Sequence, residues 1–161
     1  MMTEMTCEFW DERTIDFVDT DTAGIVHFSN YFRFMEAAEH AFFHSLGLTI
    51  HDHNDKGGMY GWARVHVECD YTRPLHFRDT LRIHLLVSGK TKSTLSYEFT
   101  FHGRAAISQA NAEFEPLGSG RFTVAHVGRD IATDPMRARR MPDAVATKIT
   151  VAPPERLNDT N

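Results

Sequence analysis

The stretch Val18–Leu46, VDTDTAGIVHFSNYFRFMEAAEHAFFHSL, decides the fold predicted for this chain. Its second half repeats apolar side chains at steps of three and four residues, which places them on one face of a helix. These side chains are Tyr31, Phe34, Met35, Ala38, Phe42 and Leu46. Ser29 is a favourable N-cap residue, and Gly47 supplies the left-handed residue expected after the last turn. The sequence therefore predicts one long helix with a buried apolar face, and with Glu36 and Glu39 on its other sides.

Several other segments alternate polar and apolar residues with a period of two, which is typical of strands with one buried face. Such strands are predicted at 9–18, 60–71, 81–87, 95–101 and 122–127. In the second of these the predicted buried face consists of Ala63, Val65, Val67, Cys69 and Tyr71. Strands joined by short turns pair antiparallel, and the long helix is the large element available to cover their sheet. The predicted fold class is α+β, an antiparallel five-stranded sheet wrapped around one long central helix.

The length of 161 residues predicts a single domain, which we place over residues 1–150. A short final helix is predicted to start at Pro142, and residues 151–161 are predicted to be a disordered tail. The stretch 103–118 contains glycines and a proline within a mixed pattern, and no element is assigned to it.

Composition excludes several classes of function. The net charge of −5 argues against a general nucleic-acid binder, which needs a strongly basic surface. No apolar run is long enough to cross a membrane, and the first residues lack the pattern of a signal peptide. Two cysteines do not form a disulfide framework, so a reducing, cytoplasmic location is expected. The ten histidines include His51 and His53, but they lie in a polar loop, and no metal or cofactor is expected.

The run DTDTAGIVHFSNYFRFMEAA, residues 19–38, resembles the active-site signature of hotdog-fold acyl-CoA thioesterases. In the 4-hydroxybenzoyl-CoA thioesterase family and its neighbours, that signature is an acid, one residue, Asp, one or two small residues, Gly, two apolar residues, an aromatic and Asn-Tyr. YTRPLHFRDTL at 71–81 and RFTVAHVG at 121–128 are similar to later parts of the family. The resemblance implies a hotdog fold in which two subunits pair edge to edge, giving a homodimer or a homotetramer built as a dimer of dimers.

The same resemblance implies hydrolysis of an acyl-CoA thioester to the free acid and CoA. Asp21 matches the catalytic carboxylate, which either attacks the thioester or activates a water molecule. The backbone amide of Phe28 matches the donor that polarises the carbonyl, and Gly24 is expected to let the backbone come close. Unpaired N–H groups and the positive end of the helix dipole suit this place for binding an oxyanion.

Further site residues follow from the resemblance. Asp19, Asn30 and Tyr31 are expected around the substrate, with a structural role favoured for Asp19. The turn GKTKS contributes Lys90, Lys92 and Ser93, which match a basic turn near the pantetheine and nucleotide of CoA. His27 precedes the position where a related branch carries a histidine, and we expect it to be a packing or surface residue.

Two alternatives to a thioesterase stay open. A non-catalytic protein that binds acyl-CoA or acyl carrier protein would keep the pocket without needing Asp21. An acyl-CoA dehydratase or hydratase would place a histidine and an acid on a different loop, and that arrangement is not found. The acyl group is not assigned, because Phe32, Phe34 and Trp62 suit either an aromatic pocket or a core.

Overall fold

A computed structural model describes residues 5–108 and 110–157. The elements are β1 (Glu8–Thr14), a 3-10 turn (Phe17–Asp19), α1 (Phe28–Ser45), β2 (Asp52–His53), β3 (Gly57–Tyr71), β4 (Thr80–Lys90), β5 (Thr94–Arg104), β6 (Glu115–Ile131), β7 (Arg137–Ala138), α2 (Asp143–Lys148) and a second 3-10 turn (Pro154–Arg156). The predicted strand at 9–18 therefore ends earlier, and Phe17 is an exposed residue of a turn. The predicted strand at 122–127 is part of the much longer β6, which also occupies the end of the unassigned stretch.

The sheet is antiparallel throughout, with the strand order β1-β4-β5-β6-β3-β2. β7 pairs with the far end of β6. Five of these strands are long, and β2 and β7 contribute two residues each. The sheet packs against α1, so the predicted α+β class with one central helix is confirmed. No helix within residues 5–108 and 110–157 is long and apolar enough to span a membrane.

The predicted apolar face of α1 does form the centre of the core. Phe34, Met35, Ala38 and Phe42 are buried between the helix and the inner face of the sheet. Gly120 of β6 permits this close approach, because a Cβ at that position would lie 2.5 Å from the Met35 sulfur. The helix and the sheet are therefore in direct contact at this point.

Both ends of α1 have defined caps. The helix begins at Phe28, and its N-cap is His27, whose Nδ1 accepts a hydrogen bond from the Ser29 amide at 3.3 Å. The prediction of Ser29 as N-cap was wrong by two positions, because an imidazole nitrogen performs the function usually supplied by a hydroxyl. Gly47 follows the helix with a φ of 65°, as predicted.

The predicted buried face of β3 was wrong, and a β-bulge between Arg64 and His66 explains why. The extra residue changes the face to which successive side chains point. Before the bulge Arg64 pairs with buried Val124, and after it Val67 pairs with buried Phe122. Ala63 therefore points away from the helix, although it was predicted to share a face with Val67.

β3 also has a free edge. Its pairing with β6 runs the whole length, whereas β2 covers only Met59 and Tyr60 on the other side. From Ala63 to Tyr71 no described residue pairs with this second edge. Val65, Val67 and Tyr71 are 61%, 43% and 44% exposed, so an apolar strip lies beside the free edge.

The C-terminal part of the chain lies against β4. Helix α2 follows Pro142, as predicted. Beyond it, Ala152 is buried and its amide donates a hydrogen bond to the carbonyl of Val87, and Arg156 forms an ion pair with Glu8. Within the predicted tail, Ala152 and Arg156 thus contact β4 and β1, and residues 158–161 lie outside the described residues.

Candidate active site

The loop before α1 is held by its own backbone and by the start of the helix. The Asp19 carbonyl accepts hydrogen bonds from the His27 amide at 2.9 Å and from Asn30 Nδ2 at 2.8 Å. The Asp19 carboxylate accepts from the Asp16 amide at 3.0 Å. Asp19 and Asn30 thus fix the loop to the helix, which agrees with the structural role favoured for Asp19.

Asp21 is the acid that this loop presents. Its Oδ1 accepts a hydrogen bond from the Ala23 amide at 2.8 Å, and its carbonyl accepts from the Gly24 amide at 3.0 Å. No hydrogen bond joins its Oδ2 to another described residue. The carboxylate is therefore oriented through one oxygen while the second is available.

Gly24 has a backbone conformation that favours glycine. Its φ is 79°, in the left-handed region that favours glycine. A Cβ at this position would meet nothing within 4 Å. The turn after Asp21 therefore favours glycine through its φ, and the expected close approach of this backbone to a substrate stays a prediction.

A cavity of about 500 Å³ opens beside Asp21. It is lined by Asp21, Ile25, Val26, Phe28, Tyr31, Tyr71, Thr72, Arg73 and Pro74. The predicted residues Asp21, Phe28 and Tyr31 are therefore brought together by the fold. The segment Tyr71–Pro74 was not assigned to the site from the sequence, although a proline directly after a strand marks a place where the backbone leaves the sheet.

The helix start contributes an unpaired amide to this place. Phe28 is the first residue of α1, where the backbone N–H has no acceptor within the helix. No hydrogen bond joins its amide to another described residue, whereas the next amide, of Ser29, is bound by His27. The positive end of the helix dipole lies at the same point.

Two tyrosines form the aromatic wall of the cavity. The Tyr71 hydroxyl donates a hydrogen bond to the Phe28 carbonyl at 3.1 Å, and the Tyr71 and Tyr31 rings are 5.1 Å apart. Burial raises the pKa of Tyr31 to about 12, and burial also raises the pKa of Tyr71. Both hydroxyls therefore stay protonated at neutral pH.

The predicted basic turn lies at the opposite end of the subunit. Thr94, next to Ser93, pairs with Ala125 of β6, whereas Tyr71 of the cavity pairs with Gly118. Seven residues of strand separate these two points, a distance of about 23 Å. Within one chain Lys90, Lys92 and Ser93 are therefore not brought to Asp21.

Lys90 has another partner. Its ammonium donates hydrogen bonds to the carbonyls of Ala146 and Ile149, each at 2.6 Å, and so satisfies the C-terminal end of α2. The carbonyls of Lys92 and Ser93 accept hydrogen bonds from the amides of Met141 and His126, and His126 lines a second cavity of about 350 Å³. That cavity lies beyond the C-terminal end of α1.

A second acid of α1 is buried in the middle of the helix. Glu39 is fully buried, contrary to the prediction that it lies off the apolar face, and its Oε2 accepts from Arg64 Nη2 at 2.6 Å. Burial raises the pKa of Glu39 to about 7, against the pull of Arg64. The Tyr97 hydroxyl is buried beside the Glu39 carboxylate, and this neighbour acts to lower the pKa of Glu39.

Comparison with known proteins defines the family. The profile of the thioesterase-like superfamily matches residues 15–149, and the chain belongs to that superfamily. A 1,4-dihydroxy-2-naphthoyl-CoA hydrolase of Synechococcus elongatus is 30% identical over 101 residues, which are 62% of this chain and 74% of that protein. An Aquifex aeolicus protein with a provisional esterase name is 30% identical over 111 residues, 68% of this chain and 85% of its own length.

Solved structures agree on the fold. The 4-hydroxybenzoyl-CoA thioesterase of Pseudomonas sp. strain CBS-3 superposes with a TM-score of 0.71 at 18% identity, covering 88% of this chain and 99% of that one. A 1,4-dihydroxy-2-naphthoyl-CoA thioesterase from Synechocystis gives 0.69 at 20% identity, with 87% and 93% covered. The predicted hotdog fold and the predicted resemblance to thioester hydrolases are confirmed.

Proposed function

We propose that this protein hydrolyses an acyl-CoA thioester to the free acid and coenzyme A, with Asp21 and the Phe28 amide at the reacting carbonyl. One observation carries the proposal: the oriented Asp21 carboxylate and the residue with the unpaired helix amide line the same cavity. The names of the relatives support a CoA thioester as the substrate class.

The geometry suits the two requirements of thioester hydrolysis. The Phe28 amide would donate to the carbonyl oxygen as negative charge develops there, which is where a fixed donor lowers the barrier most. The Asp21 Oδ2 would either attack the carbonyl carbon, giving an anhydride that water then hydrolyses, or take a proton from an attacking water. In both routes the carbon–sulfur bond breaks and the thiolate of CoA leaves and takes up a proton.

Replacement of Asp21 by Asn tests this assignment. Thiol release from acyl-CoA should fall by at least about a hundredfold, because the base or nucleophile is lost while the shape of the cavity is kept. Substrate binding, measured by calorimetry, should survive. Asp70→Asn provides a matched control, since it removes the same charge from an exposed residue of β3 outside the cavity.

The outcome separates the alternatives. Unchanged turnover in Asp21→Asn would refute the catalytic role of Asp21. Wild-type protein that binds aromatic, short-chain and long-chain acyl-CoA thioesters without releasing thiol would instead be a non-catalytic acyl-CoA binder. Hydration or dehydration of an enoyl-CoA, without thiol release, would indicate the third alternative.

The proposal includes a homodimer paired through the free edge of β3. If two copies pair antiparallel around Val67, Tyr71 of one copy lies opposite the partner subunit's Ala63. The Asp21 cavity then lies next to the cavity at the far end of the partner's helix. In this arrangement Lys92 and Ser93, which are distant from Asp21 in their own chain, approach the Asp21 cavity of the partner.

A lysine in place of Val67 tests the pairing. Two ammonium groups facing each other near the two-fold axis would be repelled, and the apolar contact would be lost. Light scattering after size-exclusion chromatography should show a lower mass than for the wild type. Lysine in place of Ala125, which lies on the outer face of the sheet, is the control; an equal loss of mass in both variants would contradict a dimer through this edge.

A further inference from the structure

Arg73 is the only positively charged residue among the described residues that line the Asp21 cavity. We propose that Arg73 binds an anionic group of the thioester substrate: a phosphate of coenzyme A or a carboxylate on the acyl group. This inference rests on the proposed function, because it concerns the same cavity. It also gives this cavity a positively charged group. Lys90, which was predicted to contact coenzyme A, instead binds the carbonyl groups of Ala146 and Ile149, far from Asp21.

The backbone holds Arg73 in a fixed place beside the catalytic loop. Its amide donates to the carbonyl of Leu117 in β6 at 3.3 Å, and the following Pro74 restricts it to an extended conformation. Two residues further on, the carbonyl of Leu75 accepts a hydrogen bond from the Val26 amide at 2.8 Å. Arg73 is therefore anchored to the sheet on one side and to the loop that carries Asp21 on the other.

The side chain of Arg73 already binds a carboxylate. Its Nη1 forms an ion pair with Glu115 Oε2. Both side chains are more than half exposed, at 55% and 67%, so the pair is weak and water competes for it. An anionic group of a substrate in the cavity can replace Glu115 at small cost, because the contact that it removes contributes little.

The chemistry of the ligand follows from the guanidinium group. Its planar arrangement of N–H donors matches two oxygens of a carboxylate or a phosphate. The chain has a net charge of −5, and Asp21 places a further acid in the same cavity. An anionic substrate is repelled by both, and Arg73 offsets that repulsion where the substrate binds.

The test compares wild type with Arg73→Gln on four thioesters: glutaryl and butyryl groups, each on coenzyme A and on pantetheine, which lacks the nucleotide phosphates. The KM for the recognised substrates should rise about tenfold with little change in kcat, because a contact made equally in the ground state and the transition state is lost. Arg78→Gln is the matched control, since it removes the same charge from a residue stacked on Phe77 outside the cavity.

The four substrates identify the anion. If Arg73→Gln raises the KM of both coenzyme A esters and not of the pantetheine esters, the group that Arg73 binds is a phosphate. If it raises the KM of both glutaryl esters, whichever thiol carries them, the group is the carboxylate of the acyl chain. A KM that is unchanged for all four, or that changes equally in Arg78→Gln, overturns the proposal.

A reciprocal variant distinguishes binding from a structural role. Glu115→Gln frees the guanidinium, so the KM of the recognised substrates should fall by up to about fivefold. If the ion pair only stabilised the fold, Glu115→Gln would leave the KM unchanged, which would contradict the proposal. Arg73→Lys should give an intermediate KM, because a lysine keeps the positive charge but lacks the planar pair of N–H donors that can bind two oxygens at once.

Calorimetry with non-hydrolysable thioether analogues of the four substrates separates this inference from the proposed reaction. Wild type that binds an anionic analogue about tenfold more tightly than Arg73→Gln does, and that hydrolyses none of the thioesters, supports Arg73 and refutes the hydrolase. Normal hydrolysis with equal analogue affinity in the two proteins refutes Arg73 alone. Wild type that binds none of the analogues refutes both.

Discussion

The loop before α1 and the middle of α1 each present a carboxylate, and the two groups have opposite surroundings. In the loop, Asp21 has one oxygen bound to a backbone amide and lines a cavity. In the middle, Glu39 is fully buried and bound to Arg64. The difference teaches that two carboxylates close in sequence can have unlike surroundings, since one lines a cavity and the other is enclosed in the core.

Removal of the buried acid should have the larger effect on stability. In Glu39→Ala, Arg64 keeps only the longer contact to Glu36, at 3.3 Å, and a cavity is left in the core. The free energy of unfolding should fall by about 2–3 kcal/mol, less than for a fully buried pair because Arg64 is 28% exposed. Urea denaturation measures this change.

Glu36→Ala is the control for that variant. It removes the other acid that contacts Arg64, but Glu36 is 44% exposed, and a loss below about 1 kcal/mol is expected. Equal losses in the two variants would remove the contrast between buried and exposed acids on this helix.

The pH dependence of stability should be the more specific sign of Glu39. Burial raises the pKa of this carboxyl from 4.5 to about 7, so the folded state holds a proton that the unfolded state releases. The stabilisation is complete below pH 4.5 and is lost as the pH rises to about 7, by up to about 3 kcal/mol. Glu39→Gln should lack this loss.

The difference between wild type and Glu39→Gln is the quantity to measure. Partial burial lowers the pKa of His40 and of His102, and histidines whose pKa is lowered by folding make a protein more stable as the pH rises. That contribution has the opposite sign in an overlapping range of pH, and it is present in both proteins. Parallel stability curves for wild type and Glu39→Gln between pH 4.5 and 7 would show that Glu39 ionises normally.

The elements with strong local signals could be predicted from the sequence. The period of the apolar residues defined α1 and its buried face, and the signature around Asp21 identified the loop that lines the cavity. Glu39 was misplaced because a helical pattern locates an acid only by its angle around the axis. Whether a strand residue such as Arg64 reaches it depends on tertiary packing.

The positively charged residues show the same limit. Lys90 belongs to a basic turn that matches the family, and nothing local indicates that its ammonium satisfies the end of α2. Arg73 lies in the segment 71–81, whose resemblance to the family assigned it no role, and the hydrogen bonds that hold this segment come from Leu117 and Val26, far apart in sequence. Such long-range contacts are what single-sequence reasoning lacks.

The β-bulge in β3 has a consequence for how this chain is compared with its relatives. Because Val65 is one additional residue in the strand, the alternation of inward and outward side chains is offset by one position between the residues before it and those after it. An alignment to a relative without the bulge therefore needs a one-residue gap at this position. Without that gap, inward-facing residues of one protein would be matched with outward-facing residues of the other, and substitutions along the free edge of β3 would be assigned to the wrong positions.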